Sequence, residues 1–396
     1  MIPLVKNVFF KEKGTKKKLC RFIEKTDALS FGKECEKFEN SFALWQNRKH
    51  AVFFNSGSSA NLAILQTLLN LGTIKRGDSV AFSALTWATN VMPIIELGLK
   101  AIPVDVEIET LNVSSRTFKS ATEKNPIRVL FITHLLGFCG DMEKIQSYCK
   151  EKNILILEDT CEALGTVYKG KKLGNFGLAS TFSFFAAHHL STIEGGAVCT
   201  DDPKLARMLK IVRAHGWDRN LGEDGQKKIR KEFGVSDSLY AKYTFYDLGY
   251  NLRPTEISGF LGNAQLSHLN TIVKKRESNF KKFAEAIYTR TDLYYPIQSN
   301  HLDVISNFAF PIICKTKEIR DSIIEACNKK VEIRPIVGGD MTKQPFFKKY
   351  MKGSQIINST SSLIHEQGIY FGNNPDLSNS DIKILISIFS HDYKKN

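Results

Sequence analysis

Short apolar runs recur through the first two-thirds of the chain: AVFFNS, SVAFSA, KAIPVDV, RVLFITHLL and ILILEDT, each bounded by polar residues or glycine. Runs of this length read as strands buried on both faces. Between them lie helical patterns such as SSANLAILQTLLNLG and DMEKIQSYCKEKN. Strand and helix in alternation bury their apolar surface most simply as a mainly parallel sheet covered by helices on both faces. In such an α/β sheet, function sits at the carboxyl ends of the strands.

At 396 residues the chain exceeds one compact core, so a large domain plus a smaller one is expected. A helical pattern runs from about Glu256 to about Arg290, with Leu266, Leu269, Ile272 and Val273 on one face. It carries the chain from a large domain, residues 1–260, into a small C-terminal α/β domain, residues 261–396. There the strand NFAFPIIC, the helix KEIRDSIIEACNKK, the strand VEIRPIV and a last helix after DLSNSDI follow one another. In the first of those helices Ile319, Ile323 and Cys327 recur every four residues.

With 42% hydrophobic and 24% charged residues, the chain is ordinary for a soluble globular enzyme. No apolar run is long enough to span a bilayer, and the N-terminus lacks the order of a secretory signal. Eight scattered cysteines include no C-x-x-C pair and no His/Cys cluster of zinc-like spacing, so free thiols in a reducing cytoplasm and no metal are expected. The net charge of +14 invites a nucleic-acid partner. The lysines, however, are spread along the chain, with no dense basic arm beyond KEKGTKKK, and no residues are left over for a reader domain. An anionic small substrate such as a sugar nucleotide fits the charge equally well.

Four places could carry chemistry. NSGSSANLAI follows a strand and opens a helix, so Gly57, Ser58 and Ser59 could cradle a phosphate, or a serine there could simply cap the helix. LEDTCEALG puts Glu158 and Asp159 at a strand end, where a carboxylate either caps the next helix or pairs with a pyridinium nitrogen. Trp87, in SALTWATN, could stack on a flat heterocycle or pack in a core. Finally, TFSFFAAHHLSTIEGGAV offers Ser183 for a phosphate and two adjacent histidines before a Gly-Gly turn.

Together these motifs, with GYNLRPTEISGFLG and the late EIRPIVGG, resemble the DegT/DnrJ/EryC1/StrS sugar aminotransferase family over nearly the whole chain. The resemblance implies the aspartate-aminotransferase fold, PLP fold type I, and pyridoxal 5'-phosphate as cofactor. Most of that family carries, in this same run, a lysine that holds the cofactor covalently. Here the position is His188. An imidazole cannot make that bond, but it can move a proton, with an unperturbed pKa near 6.5. The branch with this replacement comprises pyridoxamine 5'-phosphate-dependent 3-dehydratases of nucleotide-linked 4-keto-6-deoxy sugars. One version works with an iron–sulfur cluster, whose cysteines follow the R-x-x-G-x-x-R run. That region here has no cysteine, so no cluster is expected.

The resemblance implies roles residue by residue. His188 is the proton-transfer base and Asp159 the partner of the ring nitrogen. Gly57, Ser58 and Ser183 bind the phosphate, with Ser59 beside them, and Trp87 stacks on the ring. Glu162, one helical turn past Asp159, faces the cofactor. Asn251 reaches the cofactor phosphate of a neighbouring subunit, which implies a homodimer with shared sites. His215, in RAHGW, is either a second active-site histidine near the sugar or a core histidine. Arg219 and Arg334 either pair with substrate phosphates or the glutamate carboxylate, or form surface ion pairs. The implied partners are a nucleotide sugar, GDP-linked by preference, and L-glutamate as amine donor, with no nucleic acid and no membrane. The implied setting is deoxysugar biosynthesis for lipopolysaccharide or capsule in the cytoplasm. An untethered aminotransferase and a non-catalytic cofactor-binding protein remain as other readings.

Overall fold

A computed structural model describes residues 1–352 and 359–393. Its centre is a seven-stranded sheet made of β1 (His50–Phe54), β2 (Ser79–Ser83), β3 (Lys100–Val104), β4 (Ile127–Thr133), β5 (Leu155–Asp159), β6 (Ala179–Ser183) and β7 (Gly196–Thr200). The spatial order is β1-β7-β6-β5-β4-β2-β3. Each apolar run of the sequence supplies one of the first five strands. Their residues are mostly buried, the edge strand β3 least, because helices such as α1 (Gly57–Asn70) cover the sheet.

The sheet is parallel except for β7, which pairs antiparallel with both β1 and β6. β1 therefore runs in the same direction as β2 to β6. The register places Thr133 beside Asp159 and Asp159 beside Thr181. Phe54, at the end of β1, and Ser183, at the end of β6, both face Gly196. All these strand ends thus lie on one edge. The edge closes tightly: a Cβ on Gly196 would fall 2.3 Å from the Ser56 carbonyl oxygen, and one on Gly57 would fall 2.7 Å from Ser183 Cβ. Only glycine lets α1 begin that close to β6.

The helical pattern expected from Glu256 to Arg290 is two helices, α2 (Glu256–Leu266) and α3 (Leu269–Ile287), interrupted at Ser267 and His268. The first half packs on one core, and the second extends from it into another. Gly259 and Gly262 of α2 lie against Cys35 and Phe38, where a Cβ would meet atoms at 2.5 and 2.7 Å. α3 buries Ile272, Phe280, Phe283 and Ile287, and its phenylalanines contact Phe138, Phe310 and Phe371. The second sheet is antiparallel throughout: β8 (Tyr294–Tyr295), β9 (Ala309–Cys314), β10 (Ile333–Pro335) and β11 (Gly368–Gly372), in the order β8-β9-β11-β10. The N-terminal residue Ile2 bridges to Val331.

Glu158, next to Asp159, is fully buried and faces away from the cavity. It accepts N–H bonds from Gly174, Phe176 and Gly177 at 2.7–2.8 Å and pairs with His134 Nε2 at 2.9 Å. Burial alone would raise its pKa, but the His134 bond and the backbone donors hold it below the usual carboxylate range. Replacing it in Glu158→Gln should cost about 3–5 kcal/mol, because backbone donors and an imidazole built for a carboxylate lose part of their partner. Urea unfolding at pH 7 measures this. The difference from wild type should shrink as pH falls through the depressed Glu158 pKa, since the wild-type contribution is then lost.

Candidate active site

The shared edge of the central sheet opens into a cavity of about 460 Å³, a size that suits a small-molecule cofactor. β5 delivers Asp159 to its floor. Asp159 Oδ2 accepts from Asn61 Nδ2 at 3.0 Å and Asn90 Nδ2 at 2.7 Å, and Oδ1 accepts the Cys161 N–H at 2.9 Å. Three donors from three segments fix this carboxylate in place. No helix follows it: residues 160–165 form turns, so Asp159 caps a turn and not a helix. Glu162 nevertheless lines the cavity, carried there by the turn.

α1 begins at the rim. Ser56 is its N-cap, accepting the Ser59 N–H at 3.1 Å. The first turn leaves N–H groups at Gly57 and Ser58 without intrahelical acceptors, and a helix start of this kind attracts anions. Ser183, at the end of β6, faces the same rim. Trp87 lies on the wall with 54% of its surface exposed, so it is a free aromatic plane and not core packing.

The two adjacent histidines part ways. His189 is buried outside the cavity, and burial chiefly, with the nearby Arg276 charge, depresses its pKa well below the usual imidazole value. His188 lines the cavity. Its Nδ1 lies 2.6 Å from the Cys161 carbonyl oxygen. A carbonyl can only accept, so Nδ1 donates and Nε2 carries the lone pair. The ring also faces Phe308, with centroids 5.3 Å apart and planes at 33°. Burial is the chief cause that lowers the His188 pKa, and the Arg276 charge acts in the same sense. The Cys161 carbonyl and Asp159 oppose them. Burial likewise pushes the Cys161 thiol well above its usual range, which makes it a poor nucleophile. Glu162 accepts the Leu136 N–H at 2.8 Å, yet burial, aided by the Asp159 charge, pushes its pKa up to about 8.

The model of the DegT/DnrJ/EryC1/StrS aminotransferase family matches residues 11–390. The chain belongs to this family. A GDP-4-keto-6-deoxy-D-mannose 3-dehydratase of Yersinia pseudotuberculosis is 34% identical over 377 residues, 92% of either chain. Among solved structures, a histidine-to-asparagine variant of GDP-4-keto-6-deoxymannose-3-dehydratase with bound GDP-perosamine is 29% identical. It superposes with a TM-score of 0.88, covering 98% of this chain and 100% of that one. The same enzyme with a trapped PLP–glutamate geminal diamine matches equally well, at 29% identity and a TM-score of 0.88, covering 98% and 100% of the two chains. The aminotransferase fold expected from the sequence is therefore the fold of the chain.

Of the candidates read from the sequence, Gly57, Ser58, Trp87, Asp159, Glu162, Ser183, His188 and Arg334 share the one cavity. Ser59 does not line it, because its hydroxyl bonds Asn55 Oδ1 at 2.6 Å and its N–H goes to the cap. Ser56 lines the cavity instead. Arg334 also pairs with Glu332 at 2.7 Å, so it is both a cavity residue and a surface ion pair. His215, Arg219 and Asn251 lie outside this cavity, close to one another. Asn251 bridges to Ala214, the His215 N–H bonds the Tyr250 carbonyl at 2.8 Å, and Arg219 and His215 both lean on Trp217 at 5.3 Å. Sequence reasoning missed Asn61 and Asn90, although both lie inside motifs already singled out, SGSSAN and TWATNV. It also missed Phe308 and Tyr370, which carry no local signal.

A Glu162 that stays protonated to about pH 8 has a simple thermodynamic signature. Its folded pKa exceeds its unfolded one, so stability falls as pH rises from about 4 toward 8. Glu162→Gln should remove this slope, leaving the variant more stable than wild type at pH 8 by on the order of 1–3 kcal/mol, with little difference at pH 5. Denaturant unfolding of the cofactor-free protein at the two pH values checks it.

Proposed function

We propose that the chain is a cytoplasmic C3 dehydratase of a GDP-linked 4-keto-6-deoxy sugar, using pyridoxamine 5'-phosphate that L-glutamate regenerates. The product would serve deoxysugar biosynthesis for a surface polysaccharide. The observation that carries the reading is His188: a base with Nδ1 pinned by a carbonyl and Nε2 free, in the same cavity as Asp159, at the position where the family's lysine would stand.

The cavity fits the cofactor. The start of α1, with Gly57, Ser58 and Ser183, would hold the phosphate, and Trp87 would cover the ring. Asp159, fixed by Asn61 and Asn90, would hold the proton on the pyridine nitrogen. With no lysine at the site, these contacts would carry the whole burden of retention. When bound, the amine form supplies a group that condenses with the C4 ketone and a ring that takes up electron density.

The chain's own residues then have defined work. His188 accepts a proton at Nε2 and, as imidazolium, returns it to the departing C3 hydroxyl. A base held neutral by burial is ready for the first of these steps at physiological pH. Glu162, neutral over much of the same range, adds no second negative charge beside Asp159. Arg334 at the rim would meet a substrate phosphate or the glutamate carboxylate.

We further propose that His215, Arg219 and Asn251 complete the site of a partner subunit in a homodimer. What supports this is their grouping on two bridged segments beside the exposed rings of Tyr243 and Phe245, an apolar surface of the kind that marks interfaces.

The test incubates the protein with pyridoxal phosphate, glutamate and GDP-4-keto-6-deoxymannose and follows products by mass spectrometry. A sugar lacking one oxygen, with 2-oxoglutarate and ammonia released, is the expected result. A sugar carrying a new amino group would overturn the reading in favour of aminotransfer. His188→Asn should lower kcat by about 10²–10⁴-fold while the cofactor still binds, as its absorbance reports. Full activity of that variant would remove His188 from the mechanism.

A further inference from the structure

Behind His188, outside the cavity that holds Asp159, lies a buried guanidinium. Arg276, on α3, is 4% exposed; among the described residues no carboxylate makes a close ion pair with it, although the Asp376 charge acts on it from nearby. Its bonds go to carbonyl oxygens from three separate segments. Nη2 donates to the His188 carbonyl at 3.3 Å. Nη1 donates to the carbonyls of Asn307 and Phe308 at 3.4 and 3.2 Å, and to that of Asn373. Asn373 answers from its side, donating Nδ2 to the Arg276 carbonyl at 2.9 Å and to Asn307 Oδ1 at 2.7 Å. Phe308, one of the segments so held, is the residue whose ring faces the His188 imidazole.

We propose that Arg276 is a positioning residue for His188, clamping the loop that carries the histidine to the two small-domain segments that close behind it. The proposal rests on the assignment of His188 as the proton-transfer base.

A structural staple could be built from neutral donors, and an unpaired buried cation is an expensive choice. The charge has a use here. Burial lowers the Arg276 pKa to about 9, which still leaves it cationic at neutral pH. A cation fixed beside the His188 main chain disfavours a second positive charge on the imidazole, so it keeps the base in its proton-accepting form. The other groups around His188 are Asp159 and Glu162 from the strand end and turn, the Cys161 carbonyl, the adjacent His189, Glu194, Arg334 and Tyr370 lining the cavity, and Asp376, which lines a second pocket with His188 and Arg276. Asp159 and the Cys161 carbonyl favour the imidazolium. Burial is the chief counterweight, and the Arg276 charge adds to it.

The two functions of Arg276 separate by substitution. Arg276→Gln keeps donors and loses the charge, and Arg276→Lys keeps the charge and loses the planar fork. The readout that does not depend on turnover is the titration of the His188 imidazole nitrogens by NMR in ¹⁵N-histidine-labelled holoenzyme, assigned by their absence in His188→Asn. The expected result is an Nδ1-protonated neutral ring in wild type and a higher midpoint in Arg276→Gln. The acidic limb of kcat/KM should move by the same amount. In Arg276→Lys the midpoint should stay in place while kcat falls about tenfold from lost positioning. An unmoved midpoint in Arg276→Gln would overturn the electrostatic role, even if its rate fell. Full kcat in Arg276→Lys would overturn the clamp, and that variant decides the matter if Arg276→Gln does not fold. Failure of the wild-type enzyme to dehydrate any 4-keto-6-deoxy nucleotide sugar would remove the underlying assignment, whatever the midpoints do.

Discussion

Everything at the site depends on one close contact along the edge of the central sheet. β7 runs antiparallel between β1 and β6, and its first residue, Gly196, faces the last residue of each. Because Gly196 and Gly57 have no side chains, the start of α1 sits against Ser183. An anion-attracting helix end, a strand-end hydroxyl and, one strand further on, the Asp159 carboxylate are thereby brought to one edge. A single methyl at either glycine would push these groups apart by more than a hydrogen bond can absorb. The glycines act on the chemistry through distance, without touching any reacting atom.

The electrostatics of the cavity follow from burial combined with a few fixed partners. Asp159 and Glu162 lie in the same buried turn, but their surroundings differ. Asp159 receives three N–H donors, whereas Glu162 receives one among the described residues. Desolvation without compensation keeps Glu162 neutral. His188 is likewise desolvated, and its one fixed hydrogen bond determines which nitrogen faces the cavity. A site arranged this way places two carboxylates with different hydrogen-bond partners and an oriented imidazole in one cavity.

The fold was legible where burial leaves a simple mark. Strands covered on both faces read as unbroken apolar runs, and strand-end residues such as Asp159 and Ser183 follow directly. The break at Ser267 and His268 was not legible, because neither residue is a strong breaker and the apolar period resumes at Leu269. The turn after Asp159 also hid, since TCEALG has good helix formers and nothing local forbids a helix. Within the site, the visible residues are those whose own chemistry is reactive. Asn61 and Asn90 act only through a carboxylate 98 and 69 positions away, and sequence spacing cannot report such a pairing. Ser56 and Ser59 differ only in which one caps α1, a choice that backbone geometry makes.

Replacing a tethering lysine by histidine changes what the rest of the cavity must do. A covalent bond would hold a cofactor through every conformational fluctuation. Without it, retention in the proposed site would fall to a helix end, two serines, an exposed indole and one carboxylate, all of them weak singly and effective only if preorganised. Preorganisation is what the surrounding structure supplies: asparagines that lock Asp159, glycines that seat α1, and a carbonyl that fixes the imidazole. The same logic accounts for rigid support behind His188. A lysine joined to its cofactor is aligned by that bond, whereas a free imidazole must be aligned by the protein, from the main-chain side that Arg276 and Phe308 occupy.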